Sequence, residues 1–453
     1  MHPHAMTAAE RRAVGTLAAI FSLRLFGLFA ILPVFVLYAA GLPGATETLV
    51  GLSLGAYGLT QALLQIPYGA LSDRFGRKPL ILVGLLVFAG GSVLAAVADS
   101  IWGMLAGRAL QGAGAIAAVV IALAADLTRE AQRTKAMALM GMTIGATFLL
   151  SLVLGPVLKG WIGVPGIFWL TAGLALLGIG ALARVPTPVQ ARRRPAGPAP
   201  ARLLAVLRDP ALWRLDAGIF ILHTGLTAMF VVVPVVLAEE IGLDPDRHWR
   251  VYLPVILASV VGMLPLVWLS SRRHLIRPIF TGALALVLLA QALLALGHRE
   301  FPWLVAGLWV YFVGFNVLEA LLPSLVSRLA PAEAKGAAVG VYNSFEFLGV
   351  FAGGALGGWL HGALGMGAVF TAAGALVAVW LVIVWTAPPM RLLDSRVVPV
   401  RPAGEAEARA LAARLLQVPG VEEAVVVLEE GVAYLKVDTR ILDTDRLEAA
   451  TGG

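Results

Sequence analysis

Cysteine is absent from this 453-residue chain, which excludes disulfides, thiolate metal sites and cysteine nucleophiles. Charge is scarce as well. Only 13% of residues are charged and 59% are hydrophobic, whereas a soluble chain carries about a quarter charged. A polytopic membrane protein follows from that balance. No G-x-x-x-x-G-K-[ST] run occurs, so a P-loop ATPase is excluded. The opening Met1–Arg12 is polar, and the apolar run from Ala13 to about Ala40 is too long for a signal segment and lacks a cleavage pattern. It is expected to be a retained first helix.

What the chain does have is long apolar runs. A hydrocarbon core about 30 Å thick needs roughly 20 apolar residues per helix. Twelve such runs are predicted, near 13–40, 48–71, 79–98, 101–125, 136–160, 165–184, 212–238, 250–270, 276–297, 302–328, 336–361 and 365–387. An even number puts both termini on one side. Lysine and arginine concentrate in the connections of the Met1 side, while the opposite side has only Lys159, Arg247, Arg250 and Arg299. The positive-inside rule then makes both termini cytoplasmic. The net charge of +7 is therefore a topology signal, and no nucleic-acid partner is expected.

The proline-rich connection Val185–Leu212 reads as an extended linker with a short surface helix at Arg202–Arg208, and it splits the spans six and six. The halves repeat: Lys78-Pro79 recurs as Arg277-Pro278, Lys135 as Lys335 and Gly160-Trp161 as Gly358-Trp359, at offsets of 199, 200 and 198. Predicted bodies are a first six-helix bundle over 1–190, a cytoplasmic linker over 191–211, a second bundle over 212–387 and a tail domain over 388–453. In the tail, period-two alternation predicts strands at Arg396–Val400, Val421–Leu428 and Val432–Val437, with a turn at Glu430-Gly431. Helices are predicted at Gly404–Gln417 and near Asp443–Ala450. This βαββα order looks like a small ferredoxin-like domain. Its excess of acids and lack of cysteine suit neither RNA nor metal, so it is expected to dock on basic cytoplasmic loops or merely to solubilise the chain.

Between the second and third runs stands Gly69-Ala-Leu-Ser-Asp73-Arg74-Phe-Gly76-Arg77-Lys78. It resembles the signature loop of the major facilitator superfamily, G-x-L-x-D-R-x-G-R-[KR], at every specified position. The resemblance implies a twelve-helix fold of two six-helix repeats, all-α apart from the small α/β tail, working by alternating access. It also implies that Gly69 allows close helix packing, Gly76 allows the turn, Asp73 meets the N-terminus of the eleventh helix near Gly336–Ala338, and Arg77 reaches Asp126. Such contacts exist only when the cytoplasmic side is closed, so together they would latch the outward-open state. The second copy of the loop has decayed, with Arg272 where the acid would stand.

Met104 to Gly114, with Arg108 at its centre, resembles a second motif of the superfamily. Gly155, Pro156 and Gly160 resemble its antiporter motif, with Ser151 and Lys159 departing where glycine is expected.

Ionisable groups at membrane depth are costly, about 2.5–3.5 kcal/mol at least, and usually face a cavity or a partner. Glu319, Glu346, Arg108 and His223 are candidates for proton coupling, which needs a desolvated carboxyl or an imidazole. Arg24, Tyr57, Gln61, Gln65, Asn316, Tyr342 and Asn343 are candidates for the substrate cavity. The expected protein is a monomeric secondary transporter of a bacterial cytoplasmic membrane, exporting a small molecule against protons, with no enzymatic activity, cofactor or metal. An uptake symporter and a membrane sensor or scaffold presenting the tail are the alternatives. Ionisable groups at depth speak against the scaffold.

Overall fold

The computed structural model describes residues 6–187, 199–331, 334–388, 394–400, 402, 404–428, 431–438 and 441–451. The start of the predicted linker up to residue 198, the start of the tail at 389–393, and Glu430 of the predicted turn lie outside the described residues.

The first run forms two helices, α1 (Ala8–Ile31) and α2 (Phe35–Ala39), not one. It starts five residues earlier than the apolar pattern suggests because Thr7 and Glu10 form a reciprocal capping box. It breaks around Pro33, whose ring cannot donate to the helix ladder. The second and third runs are α3 (Glu47–Phe75) and α4 (Arg77–Ala96). The fourth is also interrupted, into α5 (Ile101–Ala113) and α6 (Ala117–Asp126). Gly114 leaves helical geometry there (ψ 51°), where it packs against Gly84 and Phe88.

The fifth and sixth runs appear as one 54-residue helical stretch, α7 (Glu130–Ala183). At 1.5 Å per residue an unbroken helix of that length would be roughly 80 Å long, far more than one bilayer. Gly163 resolves this with φ 67° and ψ 174°, a conformation only glycine adopts readily, so α7 is two spans joined at a corner. Counting α7 twice, the eleven candidate spans among the described residues become twelve.

After the short α8 (Ala199–Arg208) come α9 (Pro210–Val235), α10 (Trp249–Ser270), α11 (Ile276–Gly297), α12 (Phe301–Leu329), α13 (Lys335–Leu364) and α14 (Met366–Thr386). The sequence repeat has a structural counterpart. Lys78 Nζ donates to the carbonyl of Val185, just past α7, at 2.7 Å, and Arg277 Nη2 donates to that of Trp385, in the last turn of α14, at 3.1 Å. A cation at the start of the third helix of each half thus caps the end of its sixth, where the helix dipole is negative.

Two compact units emerge. One comprises Met1–Arg194, Asp216–Ala320 and Asn343–Trp385. The other comprises Pro195–Leu215, Leu321–Tyr342 and Thr386–Gly453. In the first, a core of Val14, Leu17, Phe21, Leu85, Phe88 and Val120 joins α1, α4 and α6. A close crossing lies between α3 and α13: Gly51 faces Gly354 and Gly358, and Gly55 faces Phe351, backbone on backbone.

The second unit contains the tail. β1 (Asp394–Pro399), α15 (Glu405–Leu415), β2 (Val421–Val427), β3 (Val432–Val437) and α16 (Thr444–Thr451) follow the predicted order, with boundaries shifted by a few residues. The sheet order is β1-β3-β2, all antiparallel, with Tyr434 opposite Val397 on one side and Val425 on the other. Ala433, Leu435 and Val437 alternate onto the core with Leu411, Leu415 and Leu447. Lys436 points the other way and donates to the carbonyls of Arg328 (3.0 Å) and Ala330 at the end of α12.

Candidate functional site

Three constellations take up most of the predicted residues. The first is the signature loop. Gly76 ends α3 with φ 93°, and Arg77, the first residue of α4, lies 2.6 Å from Asp73 Oδ1 and 3.2 Å from Asp126 Oδ2. It also donates to the Ser72 hydroxyl. Arg74 lies over the Phe75 ring at 5.3 Å. Gly69 corrects an expectation: a Cβ there would meet nothing within 4 Å, so this glycine serves no close helix contact in this conformation.

The second constellation is buried among α1, α3 and α5. Arg24 is fully buried and Arg108 nearly so, and both guanidinium groups lie against the Tyr57 ring, at 5.7 and 5.2 Å. Phe88 adds a second ring to Arg24 at 5.1 Å and Phe35 one to Arg108 at 5.8 Å. Arg24 Nη2 donates to Gln61 Oε1 at 2.6 Å, and Gln61 Nε2 donates to Gln65 Oε1 at 3.0 Å. The four-residue spacing of Tyr57, Gln61 and Gln65 on α3 produces this ladder. Arg108 donates to Gln111, which donates to Ser92, both at 2.8 Å. Cation–π contacts contribute about 0.5–2 kcal/mol each, against at least about 2.5–3.5 kcal/mol for an arginine at depth. Neither arginine has a carboxylate partner among the described residues.

The third constellation gathers His223 from α9, Glu319 from α12 and Glu346 from α13. One polar atom from each lies within 4.8 Å of the others, a spacing that admits one small cation, a proton included. His223 Nε2 is 3.7 Å from Glu346 Oε1, and its ring stands 5.8 Å from Phe315. Glu319 Oε2 is buried without a hydrogen-bond partner. Asn316, one turn before Glu319, is taken up by Ser259 of α10 at 3.2 Å, a packing contact between helices. Tyr342 and Asn343 stand on α13 one turn before Glu346.

Residues of the predicted antiporter motif make packing contacts and an ion pair. Gly155 and Pro156 lie within α7, and Gly155 lies against the Ala30 carbonyl and Pro33. At Gly160 a side chain would make only ordinary contact with Asp246. Lys159, one of the departures from the motif, pairs with Asp246 at 2.5 Å. Sequence reasoning missed Glu10, whose carboxylate takes the backbone and side chain of Arg129 at 2.9 Å and raises that guanidinium's pKa. The Thr7-x-x-Glu10 pattern was the readable signal.

Comparison with known proteins agrees with this architecture. The Major Facilitator Superfamily profile matches residues 17–354 and 257–428. The inner membrane transport protein YajR of Escherichia coli (strain K12) is 43% identical over 452 residues, covering 99% of each chain. The multidrug resistance protein MdtH of Yersinia pestis is 27% identical over 365 residues, 78% of this chain and 88% of its own. A solved bacterial homolog of the human lysosomal transporter Spinster superposes with a TM-score of 0.67 at 13% identity, covering 82% of this chain and 95% of that one. The chain belongs to the Major Facilitator Superfamily, as a multi-pass membrane transporter of small molecules and not an enzyme.

Proposed function

We propose that the protein is a proton-coupled antiporter that exports a small molecule across the bacterial cytoplasmic membrane, with the His223–Glu319–Glu346 cluster as its coupling site. The convergence of two carboxyls and an imidazole within 4.8 Å carries this reading. Two unit charges 4 Å apart interact by about 4 kcal/mol at an effective dielectric near 20. A cluster of this kind therefore changes its proton count rather than holding two naked carboxylates. A group that gains a proton facing one side and loses it facing the other couples a gradient to a conformational change. Export is favoured over uptake by the name of the MdtH relative. The tail is read as a ferredoxin-like cytoplasmic module, both termini as cytoplasmic and the protein as a monomer. The signature loop is read as the latch of one state.

The test is reconstitution in proteoliposomes with an internal pH dye, screened across compound classes. Antiport acidifies the compartment that a compound leaves, and symport makes it alkaline. Glu319→Gln is expected to abolish proton-driven accumulation while downhill exchange persists, with Glu346→Gln a milder form of the same split. Accumulation against a gradient in both single variants and the double variant would place coupling elsewhere.

A further inference from the structure

We infer that Arg24 and Arg108 form the recognition site for an oxyanion, so that the transported molecule is a small organic acid bearing a carboxylate or phosphate. This rests on the transport reading above and names the cargo's chemistry. The reasoning is a count of donors and acceptors. An arginine has five N–H groups and no acceptor, and buried polar groups in native structures nearly always find partners. Around the Tyr57 ring that rule fails repeatedly. Arg24 Nε and Nη1, Arg108 Nε, Gln65 Nε2 and Tyr57 Oη are all buried without a hydrogen-bond partner.

The side-chain amide oxygens nearest these donors each already accept one hydrogen bond, and the Leu54 carbonyl takes Arg108 Nη2 at 3.4 Å. Gln61 Oε1 takes Arg24, Gln65 Oε1 takes Gln61, and Gln111 Oε1 takes Arg108. Four of the five orphaned atoms can only donate, and the fifth, a phenol, can donate as well. The surplus is thus one of donors, accompanied by two positive charges with no carboxylate partner among the described residues. Water would supply donors as well as acceptors. An oxyanion supplies acceptors and opposite charge together, and its flat or tetrahedral oxygens fit the fork of an arginine. The aromatic rings at Phe35, Tyr57 and Phe88 hold the guanidinium faces and leave the N–H edges available. A neutral cargo can accept hydrogen bonds here but leaves both positive charges uncompensated, and a cationic one adds to them.

The experiment uses the purified full chain in detergent, with no gradient. Unfolding is followed by the intrinsic fluorescence of its 11 tryptophans, and affinity by equilibrium binding of radiolabelled probes. The probes are benzoate, phenyl phosphate, inorganic phosphate, benzamide and benzylammonium. Benzoate or phenyl phosphate is expected to raise the melting temperature, and benzamide and benzylammonium are not. A response to inorganic phosphate alone would show an inorganic anion as the ligand and overturn the organic cargo. Arg24→Gln is expected to weaken benzoate at least tenfold, with Arg24→Lys intermediate because it keeps charge and loses the fork. If Arg24→Gln fails to fold, the charge selectivity of the unaltered chain decides. Equal stabilisation by benzoate and benzamide, or by no oxyanion at all, overturns the inference. Because no gradient is applied, an anion that binds a protein unable to move protons removes only the coupling proposal.

Discussion

The crossing of α3 and α13 offers a direct handle on conformation. A Cβ built at Gly51 would lie 2.8 Å from the Gly358 Cα and 2.9 Å from its nitrogen, besides meeting the Gly354 carbonyl. A Cβ at Gly354 would lie 2.8 Å from the Gly55 nitrogen. Every one of these neighbours is backbone, so no rotamer change relieves the clash. Overpacking of this kind costs about 1–3 kcal/mol. Gly51 belongs to the first six-helix repeat and Gly358 to the second, and if the protein works by alternating access such contacts between halves open in the other state. Gly51→Ala therefore penalises only the closed crossing, shifting the equilibrium toward separation by roughly 5–150-fold, at 1.4 kcal/mol per factor of ten. The absence of native cysteine makes the measurement clean: spin labels at Pro43→Cys and Leu364→Cys report the distance between the two helix ends. Gly51→Ala is expected to transfer population to a longer distance, while Gly90→Ala, where a Cβ meets open space, leaves the distribution as it was. An unchanged distribution in Gly51→Ala, in protein that remains folded and monodisperse, would refute the reasoning.

Other outcomes follow from single contacts. Thr7→Ala removes one arm of the capping box and should lower stability by about 1 kcal/mol, read as a lower melting temperature with transport retained. Asp246→Asn breaks the Lys159 pair, and because both side chains are partly exposed the loss should stay below about 1 kcal/mol and fade in high salt. Lys436→Met leaves two carbonyls at the end of α12 without their cation, so hydrogen exchange should quicken there while β3 keeps its apolar face and the tail stays folded. Deleting the chain after residue 389 should leave transport in place; its complete loss from folded protein would make the tail part of the machine.

Much of this was legible because membrane physics leaves few choices. Length and apolarity set the spans, and the Gly69–Lys78 pattern announced the family. Alternation in Ala433, Leu435 and Val437 set the face of β3 that enters the core. Boundaries were less legible. Thr7 starts α1 inside a stretch that reads as polar, and the first run, which reads as one span, is split around Pro33, whereas the corner at Gly163 falls in the gap expected between the runs at 136–160 and 165–184. That Glu319 and Glu346 lie near each other was expected, but that His223 joins them was not legible, for another reason. These residues are separated by up to 123 positions, and their proximity depends on how three helices rotate about their axes, which a nearly uniform apolar surface does not encode. Lys159 shows the converse. It stood out as a departure from a glycine motif, and the reason emerged only once Asp246 was placed beside it.

The two intramembrane clusters of ionisable groups differ in sign although the halves that carry them are repeats. Arg24 and Arg108 belong to the first half, while His223, Glu319 and Glu346 belong to the second. Duplication alone would give like sites, so the division of sign has been built onto the scaffold. One aromatic contact joins the two: the Tyr57 ring, flanked by both arginines, lies 6.2 Å from the ring of Phe347, the residue after Glu346. Inside a low-dielectric bundle, a charge arriving at one cluster is felt at the other. An anion bound at the arginines would cancel the positive field and make ionised carboxylates in the second half more costly, so anion binding and proton uptake would favour each other. By linkage the same coupling free energy acts in both directions. With favourable coupling, anion and proton occupy the protein together, which is the logic of symport; antiport requires that conformational change, not binding alone, keep the two apart. The sign of the pH change in the proteoliposomes therefore decides more than direction. An alkaline shift would mean that electrostatics between the clusters governs transport, and an acid shift that the α3–α13 crossing and the signature loop enforce exclusion against it.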